Sequence, residues 1–184
     1  MLRVSPRREQ YLAGHWLARC VLATRYGGEA RDWSLEQRHG KPPAVHASAL
    51  PAQQLSLSHS GEWIAAAASD IAIGVDIEQR RVREGLHRFE DLLLADGDVA
   101  GELDNDALLR RWVVKEALIK RAHGAALPAQ LAALKIGHCA LEHAEVQLLT
   151  AEHFQLGIAI AAGARYELRS DANVIDRGGW RTRS

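Results

Sequence analysis

The chemistry available to this chain starts with two carboxylates placed two residues apart. In Ile71-Ala72-Ile73-Gly74-Val75-Asp76-Ile77-Glu78 the side chains alternate, so a strand here sends Ile73, Val75 and Ile77 to one face and Gly74, Asp76 and Glu78 to the other. Neighbouring carboxylates repel one another. They are stable together only around something cationic: a trapped proton, a Lys or Arg, or a hard divalent metal. Asp76 and Glu78 are therefore candidate metal ligands, although a D-x-E on the wet face of an ordinary hairpin has the same pattern.

A third acid comes from Arg111-Trp112-Val113-Val114-Lys115-Glu116-Ala117-Leu118-Ile119-Lys120-Arg121. This stretch has no Gly or Pro and reads as a helix, on which Trp112, Glu116 and Lys120 share one strip. Apolar residues point in several other directions, so the helix is expected to be buried around much of its girth, and an acid there needs a partner. The simplest partner for Glu116 is Lys120 one turn on, a pair that by itself says nothing about function. Trp112 is expected to brace this helix against the strand that carries Asp76.

The elements that must hold these groups follow from the rest of the chain. Its 184 residues fit one domain, or two small halves sharing a core. The net charge is zero and 47% of residues are apolar, which describes a soluble protein with no basic tract for nucleic acid. No apolar run is long enough to span a membrane and the amino terminus lacks a signal-peptide core, so a cytoplasmic location is expected. Cys20 and Cys139 are too few for a disulfide framework, and the nine histidines show no zinc-binding spacing.

Ser5-Pro6 reads as a helix start, with Leu12, Trp16, Cys20 and Ala23 at helical spacing and Gly27-Gly28 as the stop. A short strand over residues 31–37 leads to a turn at Gly40-Lys41-Pro42-Pro43. Residues 55–58 alternate as a strand, His59-Ser60-Gly61 turns the chain, and residues 63–68 are expected to pair antiparallel with 71–78 across Ser69-Asp70. A basic cluster follows at residues 79–83, then a helical segment over 86–94, a loop at 95–98, and the long helix over 106–123 with Gly124 as its cap. Further strands are expected at 134–136, 146–149, 154–162 and 166–169. The polar residues 170–184 read as a loosely held tail.

Four motifs, in order and at the right approximate spacing, resemble the signatures of the 4′-phosphopantetheinyl transferase superfamily. They are Gly40-Lys41-Pro42, Leu57-Ser58-His59-Ser60-Gly61, Ile73-Gly74-Val75-Asp76-Ile77-Glu78, and the W-x-x-K-E-A-x-x-K run from Trp112 to Lys120. The resemblance spans roughly Arg7 to Ala162. It is to the longer, monomeric, surfactin-synthetase-activating type rather than the short trimeric holo-acyl-carrier-protein synthases.

That resemblance implies an α+β fold of two similar halves related by a pseudo-twofold, 1–78 and 79–169. It implies an enzyme of the holo-[acyl-carrier-protein] synthase type, which moves the phosphopantetheine arm of coenzyme A to a serine of an acyl or peptidyl carrier protein, depends on Mg2+, and releases 3′,5′-ADP. Asp76, Glu78 and Glu116 would be the metal ligands, Glu78 directly or through water. Lys120 would offset charge on the leaving group, and either Glu116 or a water polarised by Glu78 would take the serine proton. Arg7 and Arg8 would meet the 3′-phosphate, Lys41, Ser58 and His59 would line the coenzyme A pocket, and Lys115 would face either a phosphate or the surface.

Arg80, Arg81, Arg83 and Arg88 would be either solvated surface or contacts that steer an acidic carrier domain. The chain departs from the family pattern at His15, where relatives carry arginine, and at Gly124-Ala125-Ala126, where they carry G-x-G. Glu90, Asp98 and Glu102 compete for the family's further acidic position. The alternatives are another Mg-dependent enzyme acting on a nucleotide pyrophosphate and a non-catalytic carrier-binding module.

Overall fold

Proline in the first turn of a helix gives up only an N–H that would have had no partner, and the described chain begins that way, with α1 (Pro6–Tyr26). The structure is a computed structural model describing residues 6–38, 41–46, 54–124, 128–170 and 173–183. After α1 and a 3-10 turn at Ala30–Asp32 come two antiparallel hairpins, β1 (Ser34–Arg38) with β2 (Lys41–His46) and β3 (Gln54–Ser60) with β4 (Trp63–Ser69). α1 lies across β3 and β4, and Gln10 Nε2 donates to Gly61 O (2.6 Å), tying the start of the helix to the β3–β4 turn.

The remaining strands form one five-stranded antiparallel sheet in the order β5-β8-β7-β9-β6. These are β5 (Gly74–Gln79), β6 (Ile136–Cys139), β7 (Val146–Ala151), β8 (Phe154–Ala159) and β9 (Val174–Thr182). Helices α2 (Glu90–Leu93), α3 (Asn105–Arg121) and α4 (Pro128–Ala133) complete an α+β protein. Among the described residues no helix is long and apolar enough to cross a membrane.

Several sequence expectations are corrected, among them the turn expected at His59-Ser60, which are strand residues of β3. The strand carrying Asp76 does not pair with β4. It pairs with β8, which sets Ile158 opposite Val75 and Leu156 opposite Ile77. Those are larger apolar neighbours than the alanines of β4, and cross-strand apolar contact decides such pairings. β4 instead lays Trp63, Ala65 and Ala67 onto the cluster formed by Val75, Ile77, Leu156 and Ile158.

Within the expected loose tail, residues 174–182 are instead a strand. β9 runs between β7 and β6, with Val146 and His138 both in register with Trp180, which is 1% exposed and packs with Val113, Val114 and Ala117. One large indole in a polar strand supplies the burial that holds it, which the average polarity of the segment conceals. Residues 166–169 form no strand, although Tyr166 still reaches Gln147 Oε1 at 2.6 Å.

α3 is the element that carries the site. Asp104 caps it by accepting from Ala107 N (2.7 Å), and Leu108, Leu109, Val113, Val114, Ala117, Leu118 and Ile119 are buried around it. At its end the left-handed residue is His123 (φ 56°) rather than Gly124, whose N–H donates to Ile119 O.

The helix lies directly on β5 and β8 because both strands present glycine to it. A Cβ on Gly74 would collide with the Ala117 carbonyl and the Arg121 amide, and one on Gly157 would come within 2.9 Å of Val113 Cγ1. This close approach brings the Glu116–Lys120 strip to the polar face of β5.

Candidate functional site

The site is assembled where three elements meet: β3, β5 and the C-terminal half of α3. β3 approaches β5 through hydroxyls rather than a backbone ladder. Ser56 Oγ accepts from Val75 N (2.9 Å), Ser60 Oγ accepts from Gln79 N (3.1 Å), and between them Ser58 Oγ donates to Asp76 Oδ1 (2.8 Å). The alternation of Leu and Ser along β3 places all three serines on the side facing β5. Sequence reading singled out Ser58 and missed Ser56 and Ser60, although the same alternation held the signal.

Asp76 is 3% exposed. Lys120 Nζ donates to its Oδ1 (2.6 Å) and to Ser58 Oγ (3.0 Å), so one carboxylate oxygen takes both a hydroxyl and an ammonium. The other, Oδ2, is buried with no partner. Burial raises the Asp76 pKa and the Lys120 charge only partly opposes it. Glu116 is pushed up to about 7, first by burial and then by the negative charge of Asp76, with Lys120 pulling the other way and Glu78 adding repulsion. The structure thus brings together Asp76, Glu116, Lys120 and Ser58, and does so with too little positive charge to satisfy the acids.

Glu78 belongs to the same electrostatic group but is occupied. Arg83 Nη2 donates to its Oε2 and also to Ser60 Oγ (3.1 Å). Arg83 also lines an open, mainly apolar groove of about 230 Å³ together with Gly85, Leu86, Phe89 and Trp112. Trp112 therefore faces Phe89, with ring centroids 6.3 Å apart, and not the Asp76 strand it was expected to brace.

Among the described residues no three His, Cys, Asp or Glu side chains converge as a ready-made metal site, so the Asp76–Glu78–Glu116 triad expected from the sequence is not gathered into one. The donor chemistry nevertheless fits a hard divalent cation. The Asp76 oxygen lacks a partner, and Glu116 and Asp76 repel each other across buried space. Glu78 is instead engaged by Arg83.

The remaining expected residues divide. Lys115 is corrected: it is 2% exposed and its Nζ donates to Leu92 O (2.6 Å) and Leu131 O (3.0 Å), far into the packing of α2 and α4. Burial there lowers its pKa to about 8. His59 is exposed on β3 beside the turn to which Gln10 ties the start of α1, and Arg8 is exposed in the first turns of that helix. The side chains of Arg7 and Lys41, and the turn around Gly40, lie outside the described residues.

In the basic cluster, Arg80 is tied to Asp106 Oδ1 (2.9 Å) and Ala151 O (3.1 Å), and Arg83 to Glu78, while Arg81 and Arg88 are exposed. Of the competing acids, Asp98 is paired with Arg111, and Glu90 Oε1 accepts from Gly101 N (2.8 Å).

No protein-family profile matches the chain. Individual curated relatives do. A 4′-phosphopantetheinyl transferase of Bacillus subtilis is 30% identical over 140 residues, covering 71% of this chain and 61% of the relative. The 4′-phosphopantetheinyl transferase Sfp of Bacillus subtilis strain 168 is 32% identical over 127 residues, covering 64% of this chain and 54% of the relative. The transferase psf-1 of Bacillus pumilus is 26% identical over 117 residues, 59% of this chain and 48% of the relative. The matched part of the chain thus spans between about half and three fifths of the length of these relatives.

Proposed function

Because the chain belongs to the 4′-phosphopantetheinyl transferase superfamily, we propose that it transfers the phosphopantetheine arm of coenzyme A to a serine of an acyl or peptidyl carrier protein. The observation that carries this reading is the buried, undercompensated group of Asp76, Glu116 and Lys120, set beside the serine-rich face of β3. In the reaction the serine oxygen bonds to the phosphorus bearing the pantetheine, the pyrophosphate P–O bond breaks, and 3′,5′-ADP leaves.

Asp76 and Glu116 would hold Mg2+, with Glu78 joining directly or through water. When bound, the ion neutralises pyrophosphate oxygens as charge moves to the leaving group. Lys120 places its ammonium between Asp76 and Ser58, where it can offset that leaving-group charge. Either Glu116 or a water polarised by Glu78 would take the serine proton.

His59, exposed on β3 near the turn that Gln10 ties to the start of α1, would meet a coenzyme A phosphate there with Arg7, Arg8 and Lys41 as further cations, and Ser58 would line the pocket from the face turned to Asp76. The same reading includes two pseudo-twofold halves, 1–78 and 79–169, a monomer, and a cytoplasmic location.

The test is mass spectrometry of apo carrier proteins incubated with the chain, coenzyme A and Mg2+. The expected result is a gain of one phosphopantetheine arm on the carrier, abolished by Asp76→Ala. Absence of that gain on every carrier in a panel drawn from fatty-acid, polyketide and peptide synthesis would refute the assignment.

A further inference from the structure

Of the arginines in the loop after β5, two are bonded internally, and they are bonded very differently. Arg80 has Asp106 and the Ala151 carbonyl as acceptors. Arg83 has one acid, Glu78, and a serine hydroxyl, while its Nε is buried with no acceptor at all. Its backbone is nonetheless fixed, because Arg83 N donates to Asn105 Oδ1 (2.9 Å) and Asn105 Nδ2 donates to Arg81 O (3.2 Å). The loop is held, and the guanidinium is left incompletely satisfied next to the acidic group.

We propose that Arg83 is a positioning residue that competes with a divalent cation for Glu78, so that the third acid joins Asp76 and Glu116 only when the guanidinium lets it go. This rests on reading those three residues as cation ligands. Glu78 follows Asp76 on the same face of β5, and its charge acts on both Asp76 and Glu116, so it lies within reach of the group electrostatically. Glu78 is held in the ion pair with Arg83, whose side chain is 24% exposed against 16% for Glu78, and among the described residues the three acids are not gathered into one site. Arg83 also forms part of the wall of the Leu86–Phe89–Trp112 groove, so there is open space beside it into which it can withdraw.

A cation arriving at Asp76 therefore has to win Glu78 from a guanidinium that has bonds to lose and an unfilled donor to place elsewhere. Arg83 sets the cation affinity of the free protein below what its carboxylates would otherwise give.

The experiment is Mn2+ titration of the full chain, followed by the free-ion electron paramagnetic resonance signal, without coenzyme A or carrier. Arg83→Gln is expected to bind Mn2+ roughly 3- to 10-fold more tightly than the unaltered protein, the size of effect produced by removing one competing charge beside a carboxylate. Arg83→Lys, which keeps the charge, is expected to stay near the unaltered value and guards against a general effect of disturbing the loop. In a Glu78→Gln background the gain from Arg83→Gln is expected to vanish.

Equal or weaker binding by Arg83→Gln, or a gain that survives Glu78→Gln, would overturn the proposal while leaving Asp76-dependent Mn2+ binding intact. No Mn2+ binding by any variant would remove the cation-site reading itself, and this inference with it.

Discussion

Two ionic groups on the same helix make opposite use of the same residue types. Toward the start of α3, Arg111 donates from Nε and Nη2 to the two oxygens of Asp98 at 2.6 and 2.5 Å, and from Nη1 to Ala107 O. Asp98 also accepts from Ala95 N, and its pKa is lowered overall because these bonds outweigh the opposing effect of burial, the largest single contribution. Toward the end of α3, Asp76 shares one ammonium, keeps an unpartnered oxygen, and has its pKa raised. A fold gains from the first arrangement and tolerates the second only where something outside the chain completes it. That contrast supports the proposal that the Asp76 group is the reactive one and the Asp98 group scaffold.

The comparison makes separable predictions. Arg111→Ala leaves Asp98 in its pocket, which is only 10% exposed, without its cation, and is expected to cost about 3–5 kcal/mol in urea unfolding while each folded molecule keeps its transfer rate. A stable Arg111→Ala would erase the distinction from one side.

Asp76→Asn works from the other side. It should lower the transfer rate by roughly 10²–10³-fold with a melting temperature no lower than that of the unaltered protein, since a strained charge has been removed. A parallel loss of stability would make Asp76 scaffold as well.

Gly74→Ala tests whether the two elements must touch. The new methyl forces α3 off β5, with an expected stability loss of about 1–3 kcal/mol together with a fall in transfer rate, read by unfolding and kinetics on the same sample.

The smallest effect concerns Glu116 in metal-free buffer. Its folded pKa is about 7 against an ordinary 4.5, so the fold favours the protonated acid. Both states are protonated below pH 4.5. Stability then declines as pH rises toward 7, where the folded state must give up its proton. Glu116→Gln should therefore match the unaltered protein at low pH and exceed it at pH ~8 by on the order of 1–2 kcal/mol. An advantage equal at both ends of that range would show that charge is not the cause.

Much of this was legible in the sequence because short-range pattern determines it. The alternation of residues 71–78 and the i, i+4 strip of Trp112, Glu116 and Lys120 are local facts, and both elements formed where expected. What could not be read was which elements become neighbours. The turn at Ser69-Asp70 suggested a β4–β5 hairpin, but strand choice depends on the apolar partners that β8 offers from far along the chain. Lys115 was misread for a related reason: helical spacing gives its direction from Glu116, but not the presence of the Leu92 and Leu131 carbonyls waiting there. Arg83 resembled a surface arginine until β5 and its loop placed it against Glu78.

The place of β9 also bears on how the protein comes into being. Its strand is inserted between β7 and β6, and in the sheet it is the neighbour through which β6 is joined to the rest. During synthesis residues 136–139 must therefore wait, without that neighbour, until residues 174–182 have emerged from the ribosome. The indole that seals the interior beneath α3 arrives only with that strand. Premature termination upstream of that strand should accordingly yield a chain that reaches the chaperones instead of the native state, even though every residue of the acidic site has already been made.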